Sequence, residues 1–213
     1  MRTYGDGCGI AHALDILGER WALLVVRELL LGPKRFTDLR QGLPNASPNV
    51  LSQRLRELEQ AGVVQRRKLP PPAGSMIYEL TEWGRELKPI VMSLGAWAVR
   101  SPVFPHDAPA FGDSVLLALG TFFDADAADG LNANFELRLG DDRVRVQIAD
   151  GTIDIERGEA EAPDVIITTD TPTLRALLWD QRELADALDA GEIAIDGDRE
   201  LAARFLTLFP QPR

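Results

Sequence analysis

Hydrophobic residues recur at helical spacing near the start of the chain and predict its first two elements. Ala13–Leu31 has apolar positions three or four residues apart until Gly32-Pro33, a pattern typical of one buried helix. A shorter apolar run over 36–43 predicts a second helix, which ends before Pro44. The spacing therefore predicts two successive helices in this segment.

The third predicted helix has a well-marked beginning. Ser47 is a favourable N-cap, and Pro48 occupies the first helical position, where its missing N–H costs nothing. An apolar stripe covers one face, and Gly62 marks the end of the helix. The opposite face carries hydrogen-bonding side chains and a guanidinium, which suit the major groove of DNA. The DNA-contacting residues predicted on this helix are Ser47, Asn49, Ser52, Gln53 and Arg56.

Two short strands follow the third helix and predict a β-hairpin. Residues 63–68 and 76–80 have strand composition, and a tip rich in Pro and Gly over 69–75 separates them. The basic residues predicted to touch phosphates or a minor groove are Arg66, Arg67 and Lys68. Thr81 then caps a last helix that reaches Trp97. The order helix, helix, helix, hairpin predicts a mainly α winged helix-turn-helix whose third helix reads DNA.

Each of these features also has an ordinary structural explanation. A polar face on a short helix is usually only solvated, and basic residues on an edge strand usually protect it against aggregation. The capped polar helix and the basic hairpin follow each other within about 50 residues, and this order favours the DNA-binding interpretation.

The second half of the chain alternates between short strands and helices and predicts a different class of domain. Period-two patterns separated by Gly and Asp turns predict an antiparallel meander of three strands and a fourth strand beyond it. The predicted strands are 134–139, 143–148, 152–156 and 165–169, with a brief one at Ile193 and Ile195. The predicted helices are 115–123, 171–179, 183–190 and 199–209. This pattern indicates an α+β domain, a sheet with helices on one face.

A proline-rich segment separates the two halves and predicts a semi-stiff connector. We therefore predict a winged-helix domain over 1–100, a connector over 101–111 and an α+β domain over 112–213. The net charge of −10 is divided in the same way, since residues 1–100 hold 14 Lys and Arg against 10 Asp and Glu, and the remainder holds 9 against 23. The basic half would face the phosphates of a nucleic acid, and the acidic half would stay away from them.

Several separate motifs of the first half resemble those of HxlR-type transcriptional regulators. The segments that carry the resemblance are Cys8, Ala13–Trp21, Arg35-Phe36, Ser47–Glu59 and Tyr78–Thr81. The resemblance covers about residues 8–100 and implies a DNA-binding homodimer whose first and last N-terminal-domain helices pair. It also implies that each protomer places its 47–61 helix in one half-site of an operator.

The second half resembles a sterol carrier protein type 2 domain over about residues 112–210. Pro163–Thr168 leading to Leu174, and Gly191–Asp198 before the final helix, carry this resemblance. It implies an apolar tunnel that holds a lipid-like molecule. The large side chains that could line such a pocket are Phe122, Phe123, Phe135, Trp179, Phe205 and Phe209. Aromatic residues also fill ordinary cores, so both interpretations stay open.

Cys8 is the single cysteine of the chain and cannot form an internal disulfide. A thiol at the start of a helix is either a small buried residue or, where it is exposed with a low pKa, a redox sensor. Since His12 and His106 are the only histidines, there is no Cys/His set for zinc, and we expect no metal and no cofactor. The sequence shows neither a secretory signal nor a membrane-spanning run, which predicts a cytoplasmic protein.

The residues that carry catalysis in known motifs are missing from the sequence. We find no Ser/His/Asp or Cys/His arrangement at catalytic spacing, no phosphate-cradling glycine loop and no H-E-x-x-H, and we expect no enzyme. The predicted function is a homodimeric transcriptional regulator that binds double-stranded DNA and responds to an apolar small molecule in its C-terminal domain. The alternative is a lipid-binding or carrier protein in which the winged helix is mainly a dimerisation module. A third interpretation gives the domains purely structural roles.

Overall fold

A computed structural model describes residues 3–70, 74–105, 108–110 and 113–210. The chain divides into two compact units, one formed by Met1–Val91 with Phe111–Ser114 and the other by Met92–Ala110 with Val115–Arg213. In the described ranges, no helix is long and apolar enough to cross a membrane. The predicted connector lies partly outside the described residues, and the domain bounds 1–100, 101–111 and 112–213 stay predictions.

The first unit contains short helices and a small antiparallel sheet. Its helices are α1 (Gly9–Leu17), α2 (Ala22–Leu29), α3 (Phe36–Gly42), α4 (Pro48–Gln60) and α5 (Glu82–Arg85), and α6 (Leu87–Ala98) begins in it. Its strands are β1 (Lys34–Arg35), β2 (Val64–Lys68) and β3 (Met76–Leu80), in the order β1-β3-β2. The predicted winged helix-turn-helix is confirmed, and the two-residue strand β1 extends the predicted hairpin to three strands.

The predicted single helix over 13–31 is wrong, because the chain forms α1 and α2 with a break at Gly18–Trp21. Gly18 donates its N–H to Leu14 O at 2.8 Å, and a Cβ on Gly18 would lie 2.5 Å from that oxygen. Trp21 has a φ of +81°, a left-handed conformation that no α-helix continues through. The predicted helix after Thr81 is likewise divided into α5 and α6 at Glu86. Apolar periodicity persists across both breaks, and this explains the error.

The core of the first unit is built around the apolar stripe of α4. Leu51, Leu55 and Leu58 are fully buried and lie in one cluster with residues of α2, α3, β2 and β3. Gly62 has a φ of +76° and ends the turn after α4, as the sequence predicts. Because the leucine stripe fixes the rotation of α4, its polar side faces solvent.

The second unit contains a five-stranded mixed sheet with helices. Its strands are β4 (Ala133–Leu139), β5 (Asp142–Ala149), β6 (Thr152–Arg157), β7 (Val165–Thr169) and β8 (Ala194–Gly197), in the order β6-β5-β4-β7-β8. Its helices are α7 (Ser114–Phe122), α8 (Thr171–Trp179), α9 (Leu184–Asp189) and α10 (Arg199–Leu206). The predicted meander is β4, β5 and β6, whereas β7 pairs in parallel with β4. The predicted α+β class is confirmed.

One carboxylate of the second unit is buried within its sheet. Glu136 on β4 accepts hydrogen bonds from Arg138 Nε at 2.6 Å and from Ala160 N at 2.9 Å, which ties the connection before β7 to β4. Burial raises the pKa of Glu136, but the bonds from Arg138 and Ala160 outweigh it, so that the pKa lies below its ordinary value.

Candidate nucleic-acid interface

The polar side chains predicted on α4 lie on its surface. Ser47 Oγ accepts a hydrogen bond from Val50 N at 3.4 Å and caps the helix, followed by Pro48 at the first position. Ser47, Asn49, Gln53 and Arg56 are exposed and Ser52 is half-buried. The structure therefore brings the five side chains to the solvent-facing side of one helix.

Arg56 and Gln53 make only local contacts. Arg56 Nε donates to Ser52 O at 3.2 Å, and Gln53 Nε2 donates to Glu57 Oε1 at 3.0 Å. Among the described residues, nothing accepts a hydrogen bond from the terminal nitrogens of Arg56. These nitrogens form the planar fork that binds a guanine edge or a phosphate.

Strand pairing divides the basic triplet of β2 between two faces. Arg66 lies opposite Tyr78 and Lys68 opposite Met76, whereas Arg67 lies opposite Ile77. Because successive side chains of a strand point to opposite faces, Arg66 and Lys68 share one face and Arg67 lies on the other. The three residues are exposed, but they do not form one basic patch.

Arg66 pairs with a carboxylate of α4. Its Nε lies 2.8 Å from Glu59 Oε1, and the hydrogen bond and charge of Glu59 raise the pKa of Arg66. This pair joins the C-terminal end of α4 to the wing. The sequence prediction missed Glu59, because its position on the helix gives no sign that it pairs with a residue seven positions later.

Arg67 pairs with a carboxylate of β3. Its Nε and Nη2 lie 3.1 Å and 3.2 Å from the two oxygens of Glu79, which also accepts from Gln65 Nε2 at 3.0 Å. The hydrogen bond from Arg67 is the largest cause that lowers the pKa of Glu79. Lys68 makes no ion pair with a described residue. The wing tip over 71–73 lies outside the described residues, and the DNA contacts predicted for Arg66, Arg67 and Lys68 stay predictions.

The six aromatic residues predicted to line a pocket have two different environments. Phe135, Phe205 and Phe209 are fully buried, with the ring of Phe205 4.5 Å from that of Phe135 and 5.0 Å from that of Phe209. Trp179 is half-buried, and its Nε1 donates to Phe209 O at 2.8 Å. The three phenylalanines fill the core of the second unit.

Phe122 and Phe123 instead line an open cleft of about 750 Å³ in the second unit. Trp97 and Arg100 contribute its apolar and basic lining, and Asp124 lies among the other lining residues. Phe122 also packs edge-on against Trp179 at a ring distance of 6.1 Å. The cleft is open to solvent, and its lining is partly aromatic and partly charged.

Cys8 is exposed and lies at the N-cap of α1. The backbone N–H groups of Ala11 and Ile10 lower the pKa of its thiol. Both properties are those expected of a reactive thiol, but its predicted redox role stays a prediction. Within the described ranges, no group of three His, Cys, Asp or Glu side chains could hold a metal ion.

Comparisons with known proteins find a different match for each of the two parts of the chain. A family described as HxlR-like helix-turn-helix matches residues 16–102. The uncharacterized HTH-type transcriptional regulator YvaP of Bacillus subtilis (strain 168) is 45% identical over 86 residues, which are 40% of this chain and 80% of that protein. The HTH-type transcriptional regulator YodB of the same organism is 41% identical over 86 residues, 40% of this chain and 77% of that protein.

A solved structure has a sequence similar to about half of the chain. The reduced form of the transcriptional regulator YodB from B. subtilis is 35% identical, with a TM-score of 0.41. The likeness covers 49% of this chain and 100% of that chain.

Residues 113–213 match a family described as alkyl sulfatase C-terminal. This finding does not confirm the sterol carrier resemblance expected for the second half, because the matching description is a different one. The short motifs around Pro163–Thr168 and Gly191–Asp198 were too few to identify the family.

Proposed function

The chain belongs to the HxlR-like helix-turn-helix family through residues 16–102, and on that premise we propose that it is a transcriptional regulator that reads DNA through α4. The observation that carries the proposal is the exposed polar face of α4, with Asn49, Gln53 and Arg56 turned to solvent. Its Ser47 cap and buried leucine stripe support the assignment, because they hold this face in one orientation.

The proposed interface combines sequence reading with phosphate contacts. The first turns of α4 enter the major groove, where amide and guanidinium groups bond to base edges. Basic side chains of β2 lie beside the helix and bind the phosphate backbone, which positions the protein but reads no sequence. Because these phosphate contacts release counterions from the DNA, affinity should fall as the salt concentration rises.

A mobility-shift titration with DNA from upstream of the protein's own gene tests this proposal. Arg56→Ala should weaken specific binding by about tenfold to a hundredfold, because a bidentate base contact contributes about 1–3 kcal/mol. The double variant Arg66→Ala and Arg67→Ala should reduce the salt dependence. Arg40→Ala is the matched control, since it removes an exposed arginine outside α4 and β2. Unchanged binding by both test variants would contradict the assignment.

We also propose that the protein acts as a homodimer with α1 and α6 at the interface. Ile90, Leu94 and Trp97 form an apolar stripe on α6 and are 59%, 44% and 66% exposed. On α1, Ile10 and Leu14 are 74% and 46% exposed. Exposing an apolar stripe of this size to water costs free energy, so a second copy of the chain that covers the stripe stabilises the dimer.

Light scattering coupled to gel filtration tests the dimer. Leu94→Glu should shift the protein towards the monomer, because it places a charge in the centre of the stripe. Lys88→Glu on the same helix is the control for a new carboxylate outside the stripe. A monomeric unaltered protein at micromolar concentration would contradict the proposal.

An apolar effector is proposed for the second unit, and the cleft beside Phe122 and Phe123 is its candidate site. An effector regulates only if it binds the DNA-competent and DNA-incompetent states with different affinity. Native mass spectrometry of freshly purified protein should detect a co-purifying apolar molecule, and Phe122→Asp should reduce its occupancy. A bound molecule without any affinity for DNA at low salt would instead favour the lipid carrier.

We propose a cytoplasmic regulator that has no catalytic activity. Its relatives are regulators of transcription, and the predicted DNA partner lies in that compartment. The charges of the second unit serve solubility and keep it away from phosphates, which orients the protein on DNA.

A further inference from the structure

Glu59 lies on α4 three residues beyond Arg56, on the same side of the helix. This side is the one proposed to meet DNA, where phosphates repel a carboxylate at close range. The pair with Arg66 covers Glu59, with Arg66 Nε 2.8 Å from Glu59 Oε1. The C-terminal end of the proposed DNA-reading face therefore holds an ion pair, in which Arg66 is already bound to a carboxylate.

The pair between Glu59 and Arg66 is weak and open to exchange. The two side chains are 30% and 50% exposed, so water and salt screen their attraction. Duplex DNA presents a dense row of phosphates, about one charge per 1.7 Å of helix axis, and a bound cation releases counterions. A single, partly exposed carboxylate is a poorer partner for Arg66 than this row of phosphates.

The pair between Glu79 and Arg67 is different in burial and in the number of its bonds. The Glu79 side chain is only 11% exposed and accepts hydrogen bonds from both Arg67 and Gln65. If Arg67 left, a largely buried carboxylate would lose its counter-ion, which is costly. Arg67 also lies on the face of β2 opposite to Arg66, so it does not adjoin Glu59.

We propose that Arg66 leaves Glu59 for a DNA phosphate when α4 binds, whereas Arg67 stays on Glu79 and makes no phosphate contact. Glu59 is then an intramolecular competitor that lowers the affinity for every duplex. This inference rests on the proposed DNA-binding function and divides its basic triplet into a DNA-contacting pair, Arg66 and Lys68, and a structural arginine.

Titration of the full-length protein with a labelled mixed-sequence duplex at several salt concentrations tests the exchange. A mixed sequence isolates the phosphate contribution and requires no knowledge of the operator. Glu59→Gln should tighten binding at low salt by about twofold to fivefold per protomer, because Arg66 no longer has to leave a charged partner. Glu82→Gln is the matched control, since it removes the same charge from an exposed residue of α5 that pairs with no described residue.

The salt dependence of binding separates the two arginines. Arg66→Met should lower the slope of log affinity against log salt by about 0.9 per protomer, the value of one phosphate contact. Arg67→Met should leave the slope unchanged. Thermal unfolding of each variant checks that the winged helix is folded, which matters most for Arg67→Met.

Each remaining outcome overturns the inference. Equal tightening by Glu59→Gln and Glu82→Gln would show a general charge effect, and an equal loss of slope in both arginine variants would place Arg67 on DNA. In these cases the unaltered protein still binds the duplex, and the proposed function stands. Failure of the unaltered protein to bind at low salt would overturn both proposals.

Discussion

The two units differ in what they bury. Among the described residues, the first unit buries Asp15, Glu28, Lys34, Arg54, Glu79 and Asp113, whereas the only ionisable side chain buried in the second is Glu136. The second unit instead buries a cluster of phenylalanine rings. The first unit is thus held partly by charge pairs with defined geometry, and the second mainly by the area of apolar surface removed from water.

This difference bears on function, because charge pairs fix the orientation of one element against another. In the first unit, Lys34 of β1 joins Glu28 of α2 at 2.7 Å and Asp113 at 3.0 Å. Gly42 of α3 leaves room for Glu28, whose carboxylate a Cβ at that position would overlap. A DNA-reading helix needs such fixed neighbours, since its contacts depend on position within about 1 Å.

The largest expected effect is in the aromatic core of the second unit. Phe205→Ala should lower the free energy of unfolding by about 3–5 kcal/mol, since it leaves a cavity between Phe135 and Phe209. The measurement is urea unfolding followed by hydrogen exchange of peptides from each unit. Phe123→Ala removes a half-buried ring and should cost less. Equal losses of unfolding free energy in the two variants would indicate that Phe205 lines a cavity and does not fill the core.

A smaller loss is expected in the first unit when its buried charges lose their counter-ion. Lys34→Met should cost about 3 kcal/mol, at the low end for a broken buried pair because Arg27 still binds Glu28 at 2.7 Å. The same unfolding experiment measures it. Arg40→Met removes an exposed charge from α3 and should change stability by about 0.5 kcal/mol or less. If the two variants lower the free energy of unfolding by the same amount, the buried charge pairs do not stabilise the first unit more than exposed charges do.

The smallest effect concerns pH and involves one carboxylate in each unit. The folded-state pKa values of Glu79 and Glu136 are lowered, so both contribute stability above the ordinary value of 4.5 and lose it as the pH falls below that value. The first unit loses part of its free energy of unfolding as the pH falls below 4.5. Glu79→Gln should make this loss smaller by about 1 kcal/mol or less. Glu136→Gln should do the same for the second unit alone. A profile that keeps its slope in either variant would assign the pH dependence to another group.

Sequence patterns predicted the elements of the molecule better than their breaks. The Ser47 cap, the α4 stripe and the hairpin follow from local rules, and the structure contains all three. The break at Gly18–Trp21 depends on a close approach of Gly18 to Leu14 O and on an unusual φ at Trp21. Strand β1 has only two residues and forms because it pairs with β3. Such tertiary causes leave no periodic signal.

The candidate site shows the same limit. Surface positions such as Asn49 and Arg56 follow from helical periodicity once the apolar stripe is known. The partners of Arg66 and Arg67 do not, because Glu59 and Glu79 come from other elements. The prediction of pocket residues could not separate Phe122 from Phe205, since an aromatic residue has the same pattern in a core and at a cleft.

The parallel pairing of β7 with β4 has a consequence for the order in which the second unit folds. Strands β4, β5 and β6 join through short turns, whereas β7 reaches β4 only after the intervening chain has crossed over. Loop closure therefore delays β7, and the edge of β4 exposes unpaired backbone groups until it arrives. We expect pulse-labelled amides of Val165–Thr169 to gain protection later during refolding than those of β5, and the interval before that step is when the nascent chain is most prone to aggregate.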